Sequence, residues 1–182
     1  LYGHASDETA YLAQAQAAGL KVIFDLADPV FWNGGSTLST FSELASTCGC
    51  SDNSGFVQYV VNLVKNSPAL WGYYIGDEVD PANHDALKTF TSLVHQLDPD
   101  HPRLLIAMGQ SDPSHVAYLS PLTDTADVAG VDYYPVGEPS DGTVADTGSV
   151  AQSVQAADDQ AGIQSALTFQ AFNQSEYPGS YA

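Results

Sequence analysis

Residues Pro68 to Asp80 read PALWGYYIGDEVD. The nearly unbroken apolar run from Leu70 to Gly76 is the pattern of a strand buried on both faces, as in a parallel sheet, rather than the alternation of a half-exposed strand. It stops at Gly76-Asp77-Glu78, and Asp80-Pro81 then supplies a capping side chain and a first-turn proline for a helix. Two carboxylates therefore stand where a buried strand hands over to a helix.

The same grammar repeats on either side. Upstream, a helix begins near Ser6, carries Asp7 and Glu8 in its first turn and stops at Gly19, and the strand Leu20–Leu26 (LKVIFDL) follows. A long loop containing Phe31, Trp32, Asn33, Cys48 and Cys50 leads into a helix whose Phe56, Val57, Val60, Val61 and Val64 recur at helical spacing. Downstream, Leu87, Phe90, Val94 and Leu97 line one face of the helix after Pro81, and Arg103–Met108 makes the third strand. A shorter helical stretch runs from Asp112-Pro113 to about Leu122, then come the strand Val128–Tyr134, the helix Val150–Ala161 broken by Gly162, and the strand Ala166–Phe172 (ALTFQAF).

Strict strand-helix alternation predicts an α/β fold with parallel strands, organised as one domain over residues 1–182. An open doubly wound sheet and an incomplete (β/α)₈ TIM-type barrel both satisfy that pattern. Two features favour the barrel. No glycine-rich phosphate loop follows any strand, and polar or aromatic residues gather after nearly every strand's C-terminal end instead of at one switch point.

Four Lys and Arg against 22 Asp and Glu give a formal charge of −18. That field repels phosphate backbones and anionic lipid, so neither nucleic acid nor a membrane is an expected partner, and an uncharged ligand suits the surface better. No apolar run reaches the roughly 20 residues of a membrane helix. The five histidines, His4, His84, His95, His101 and His115, lack ligand spacing and read as surface residues, which leaves no metal site to predict. Cys48 and Cys50 flank Gly49 in a loop of small polar residues; a bridge between them and a pair of free thiols are both open, and the loop composition favours an exported, extracellular protein.

In a barrel the groups beyond the strand ends share one opening. Here they are Asp25, Asp28 and Trp32; Asp77 and Glu78; Gln110 and Asp112; Asp132, Tyr133 and Tyr134; and Gln170, Asn173 and Glu176. Carboxylates and amides that bind hydroxyls, with rings that stack on pyranose faces, are the chemistry of carbohydrate recognition, and a carboxyl pair is what glycosidic cleavage requires. Asp132, inside an apolar strand, needs a partner and is either structural or catalytic. Of the adjacent tyrosines, Tyr134 lies nearer the strand end and is the better candidate to face the opening.

The run ending in Gly76-Asp77-Glu78 resembles the fourth strand of the clan A retaining glycoside hydrolases, in which the acid/base Glu stands just beyond that strand. The resemblance implies a barrel portion spanning about strands three to seven, no cofactor, and a β-linked poly- or oligosaccharide as substrate. It assigns Glu78 as general acid/base. Asp77 occupies the place where such enzymes carry the Asn that binds the sugar 2-hydroxyl. The seventh strand, where the nucleophilic Glu belongs, offers Gln170 within it and Glu176 a few residues beyond, with Asp132 as another partner carboxyl. Trp32, Tyr134, Gln170 and Asn173 are then substrate-binding residues. Gln170 also motivates a second expectation, a non-catalytic carbohydrate-binding or extracellular structural protein on a degenerate barrel. An incomplete barrel leaves sheet edges uncovered, which predicts self-association through them.

Overall fold

The computed structural model describes residues 5–27, 48–109, 116–135 and 143–169. In chain order the elements are α1 (Ala5–Ala17), β1 (Val22–Asp25), α2 (Asn53–Val64), β2 (Leu70–Asp77), a 3₁₀ turn (Pro81–Asn83) running into α3 (His84–Leu97), β3 (Arg103–Met108), a 3₁₀ helix (Ser120–Thr125), β4 (Val128–Tyr133), a 3₁₀ turn (Val144–Asp146), α4 (Thr147–Ala161) and β5 (Gln164–Phe169). The strands form one sheet in the order β1-β2-β3-β4-β5. β1 pairs in parallel with β2 from Val22↔Leu70 to Asp25↔Tyr74, and β4 with β5 from Val128↔Gln164 to Tyr133↔Phe169. Between β2 and β3 the backbone bonds Tyr73 N–H to Pro102 O and Glu78 N–H to Ile106 O advance in the same direction along both segments.

A doubly wound sheet reverses its strand order at a switch point, whereas a barrel adds each strand beside the last. The sequential order settles the choice that periodicity left open: this is the strand-helix architecture of a (β/α)₈ TIM-type barrel, of which the described residues supply five strands.

The chain divides into two compact units, Leu1–Asp77 with Asp85–Leu104, and Glu78–His84 with Leu105–Ala182. In the first, α2 buries the five apolar residues that its spacing singled out. Its start is fixed by Asp52, whose carboxylate accepts the Gly55 N–H at 2.8 Å, a side-chain cap of the usual kind. β2 buries Leu70, Tyr73 and Ile75. Three of the four cations serve backbone carbonyls: Lys21 Nζ reaches Pro68 O at 2.7 Å, Lys65 Nζ reaches Leu97 O at 3.2 Å and Arg103 reaches Thr91 O at 3.3 Å. The Leu97 carbonyl lies at the C-terminal end of its helix, where such a bond satisfies an acceptor that the helix leaves open.

The first unit also contains a polar cluster below β2. The fully buried Tyr73 donates its hydroxyl to Asp98 Oδ2 at 2.7 Å, and His101 Nδ1 lies 2.8 Å from the same oxygen. Asp98 Oδ1 accepts the Asp100 N–H at 3.2 Å. His101 is therefore no free surface residue: its ring meets that of Tyr73 edge-on at 6.4 Å. Burial alone pushes the Asp98 carboxyl up, but the hydrogen bonds from Tyr73 and His101 outweigh it and hold the group below its ordinary value. Burial and the carboxylate push the Tyr73 hydroxyl well above its ordinary range.

A carboxylate with a depressed pKa adds stability above its unfolded value of about 3.9 and loses it as pH falls through the folded value. Tyr73→Phe, which removes one donor from a buried acceptor, is expected to cost about 1–3 kcal/mol at pH 7. In urea melts the loss should shrink in acid, where Asp98 protonates in both proteins. An equal loss at both pH values would place the cost in packing.

In the second unit all six residues of β4 are buried. α4 ends where Gly162, at φ 75°, turns its N–H back to the carbonyls of Asp158 and Asp159, a left-handed stop that glycine adopts without a Cβ penalty. β5 then begins at Gln164, two residues before the apolar run that announced it, because pairing with β4 rather than hydrophobicity sets its start. Residues 170–172, the end of the expected strand, lie outside the described residues.

Candidate functional site at the end of the second strand

β2 runs out at Asp77, and the next residues alternate in burial: Asp77, Glu78 and Asp80 are exposed, while Val79 is 7% exposed and anchors the turn. Asp80 Oδ1 accepts the Ala82 N–H at 2.8 Å and starts the 3₁₀ turn, with Pro81 in its first position. The cap read from Asp80-Pro81 is thus present, although the first turn is 3₁₀ and the α-helix opens at His84.

Glu78 sits between strand and cap at φ 48°, the one non-glycine residue with positive φ among the described residues. A residue with a Cβ pays roughly 1–2 kcal/mol for that left-handed conformation. What holds it there includes the bond from its own N–H to Ile106 O of β3, at 2.9 Å. The backbone of the leading catalytic candidate is pinned to the sheet, and the residue is exposed. Its chain neighbour Asp77 is engaged differently, accepting the Tyr74 hydroxyl on Oδ1 at 2.5 Å.

Asp132 lies in β4 and is 6% exposed. Its Oδ1 accepts the Gly109 N–H at 3.0 Å, so a carboxylate that would be costly in an apolar strand has a backbone donor. The approach demands glycine at 109, since a Cβ there would stand 2.0 Å from the Asp132 carbonyl oxygen. The Asp132 side chain ties the end of β3 to β4. Glu78 and Asp132 are both anchored near the C-terminal end of β3, one through Ile106 and the other through Gly109.

Tyr133 is buried and gives its hydroxyl to Thr143 O at 3.1 Å, whereas Tyr134, just past the strand, is half-exposed. In the other unit, Asp25 Oδ1 accepts the Ala27 N–H at 2.9 Å and shapes the exit from β1. Trp32, Gln170, Asn173 and Glu176 lie outside the described residues, as do Asp28, Gln110 and Asp112. Among the described residues no group of three or more His, Cys, Asp or Glu side chains is arranged to hold a metal ion.

No family model matches this sequence, and no curated protein does. Solved structures do match in fold. An assigned alpha-L-fucosidase from Bacteroides thetaiotaomicron is similar at a TM-score of 0.59 and 13% identity, over 86% of this chain and 50% of that one. A GH2 beta-galacturonidase from Eisenbergiella tayi gives 0.56 and 15% identity, over 85% of this chain and 26% of its own. A family 51 alpha-L-arabinofuranosidase from Bifidobacterium longum gives 0.55 and 13%, over 92% and 38%. At such identities the likeness is one of fold, and the chain spans half or less of each of these three proteins. What this chain shares with them is the strand-helix barrel fold.

Proposed function

We propose that the chain is part of an extracellular glycoside hydrolase acting on a β-linked poly- or oligosaccharide, with Glu78 as its general acid/base. The observation that carries this reading is the backbone of Glu78: an exposed acidic residue at the C-terminal end of a barrel strand, held at φ 48°. Active sites of this fold lie at that face, and unfavourable backbone conformations concentrate at functional sites because the surrounding structure must be built to maintain them. A solvated acid with no task would gain nothing from the left-handed region, where glycine or asparagine is cheaper. The glycosidases among the fold neighbours support the same chemistry.

In this mechanism Glu78 protonates the departing glycosidic oxygen while a second carboxyl acts either as the nucleophile, in which case Glu78 later removes a proton from the water that hydrolyses the glycosyl-enzyme, or as the base that activates water directly. Glu176 is the proposed partner, with Asp132, whose Oδ1 accepts the Gly109 N–H, as the alternative. Tyr134, Asp77, Trp32, Gln170 and Asn173 are proposed to contact the sugar. Secretion fits the disulfide between Cys48 and Cys50, and no cofactor enters the scheme.

The test is turnover of a panel of aryl β-glycosides. Saturable release of the aryl alcohol is the expected result. Oligosaccharide binding without release across the panel would replace catalysis by carbohydrate binding alone.

A further inference from the structure

We propose that the Cys48–Cys50 disulfide is a thiol–disulfide exchange site for small, uncharged or cationic thiols, seated in the wall of a cavity at the start of α2. The inference is independent of the glycosidase reading.

The bridge joins residues two apart in sequence. Cross-links restrict an unfolded chain in proportion to the logarithm of the loop they close, so one spanning a single intervening residue adds the least to stability. Fold maintenance is therefore a poor account of it. Its surroundings point elsewhere. Both cysteines are half-exposed and Gly49 between them is exposed, at φ 65°. Together with Asp52, Gln58, Tyr59 and Asn62 they line an open cavity of about 630 Å³, room enough for a small thiol to reach sulfur.

The two sulfurs are not equivalent. The Cys50 N–H points at Cys48 Sγ, 3.2 Å away. A thiolate leaving from Cys48 would keep that donor, and a stabilised leaving thiolate speeds exchange. The step is then directional. An external thiolate attacks Cys50 Sγ and forms a new S–S bond; the Cys50–Cys48 bond breaks and its electron pair leaves on Cys48, held by the Cys50 N–H. A second external thiol attacks the mixed disulfide, releases the external disulfide and leaves both cysteines reduced after proton uptake. Two thiols are oxidised to one disulfide as one protein disulfide is reduced.

Charge selects the partner. Among the described residues Asp52 is the one charged side chain lining the cavity, and the chain carries a formal −18, so an anionic thiol is repelled and a cationic one drawn in.

Cysteamine and glutathione are the probes, compared at equal thiolate concentration and low salt on the folded protein, with circular dichroism reporting the fold. Cysteamine is expected to form a mixed disulfide mapped by mass spectrometry to Cys50, and to react roughly 3- to 10-fold faster than glutathione, a gap that salt narrows. Asp52→Asn, which preserves the helix cap, should also narrow it. The folded protein should exchange faster than the same chain in urea. Attachment at Cys48, equal rates for the two thiols, or exchange only after unfolding would each overturn the proposal.

Discussion

Replacing Glu78 by Gln is expected to lower turnover of aryl glycosides by about 10²- to 10⁴-fold, the usual worth of a positioned general acid or base. Gln keeps the shape of the side chain and the Cβ that φ 48° penalises, so the unfolding midpoint should move little. The size of the loss should also depend on the leaving group. A glycoside whose aryl group departs readily as an anion needs little protonation, and one with a basic leaving oxygen needs it most, so the deficit should widen as leaving-group pKa rises. A deficit that stays flat across the series would mean that Glu78 binds sugar without transferring a proton. Glu78→Gly makes the complementary case. Removing the Cβ relieves the left-handed penalty of roughly 1–2 kcal/mol, so this variant should gain stability while losing turnover. That pairing is the mark of strain kept for function.

How much of this was legible beforehand follows from what each feature depends on. The buried run from Leu70 to Gly76, the valine spacing of α2 and the Asp80-Pro81 cap are local patterns, and each reappears as an element or a cap near its expected place. The first strand spans Val22–Asp25 where the sequence pattern predicts Leu20–Leu26, although the Leu26 N–H still bonds Tyr74 O of β2. Closure of the fold class needed strand order, which no residue pattern carries. The sequential order β1 to β5 supplied it.

The site divides the same way. That Glu78 ends a strand is a property of the chain; that its backbone is left-handed is a property of its neighbour, since the bond that helps hold it comes from Ile106, 28 residues on. Asp132 in its apolar strand needs a partner, and that partner, the Gly109 N–H, lies just past the end of the preceding strand β3, 23 residues away. The cluster of Tyr73, Asp98 and His101 left no trace in spacing: Asp98 and His101 lie in the link between α3 and β3 and meet Tyr73 only once β2 is packed. Asp158 was hidden differently. It sits in a polar helix end, DDQ, that looks solvated, yet helical phase turns it inward beside Val150 and Val154.

That inward turn makes Asp158, among the described residues, a position where a single substitution should stabilise the chain. Its side chain is fully buried, and neither carboxylate oxygen has a hydrogen-bond partner. Burial pushes its pKa up to about 6, and the adjacent Asp159 pushes the same way; Ser165 draws it back in part, from outside hydrogen-bonding geometry. Its place in the last turn of α4 adds the negative end of the helix dipole to the charge's difficulties.

The folded state thus holds this proton more tightly than the unfolded chain, whose aspartates titrate near 3.9. The stability tied to the proton is complete below that value and is lost as pH rises through about 6. Two pKa units correspond to about 3 kcal/mol. Asp158→Asn, similar in volume and uncharged, is accordingly expected to raise the unfolding free energy by about 3 kcal/mol at pH 8 and to leave it within a few tenths near pH 3.5, where the native acid is neutral as well. Urea denaturation of both proteins across that range gives the comparison directly. A gain of the same size at both ends would trace the effect to packing of the amide, and no gain at pH 8 would mean that the buried carboxylate is solvated in a way its surroundings do not reveal.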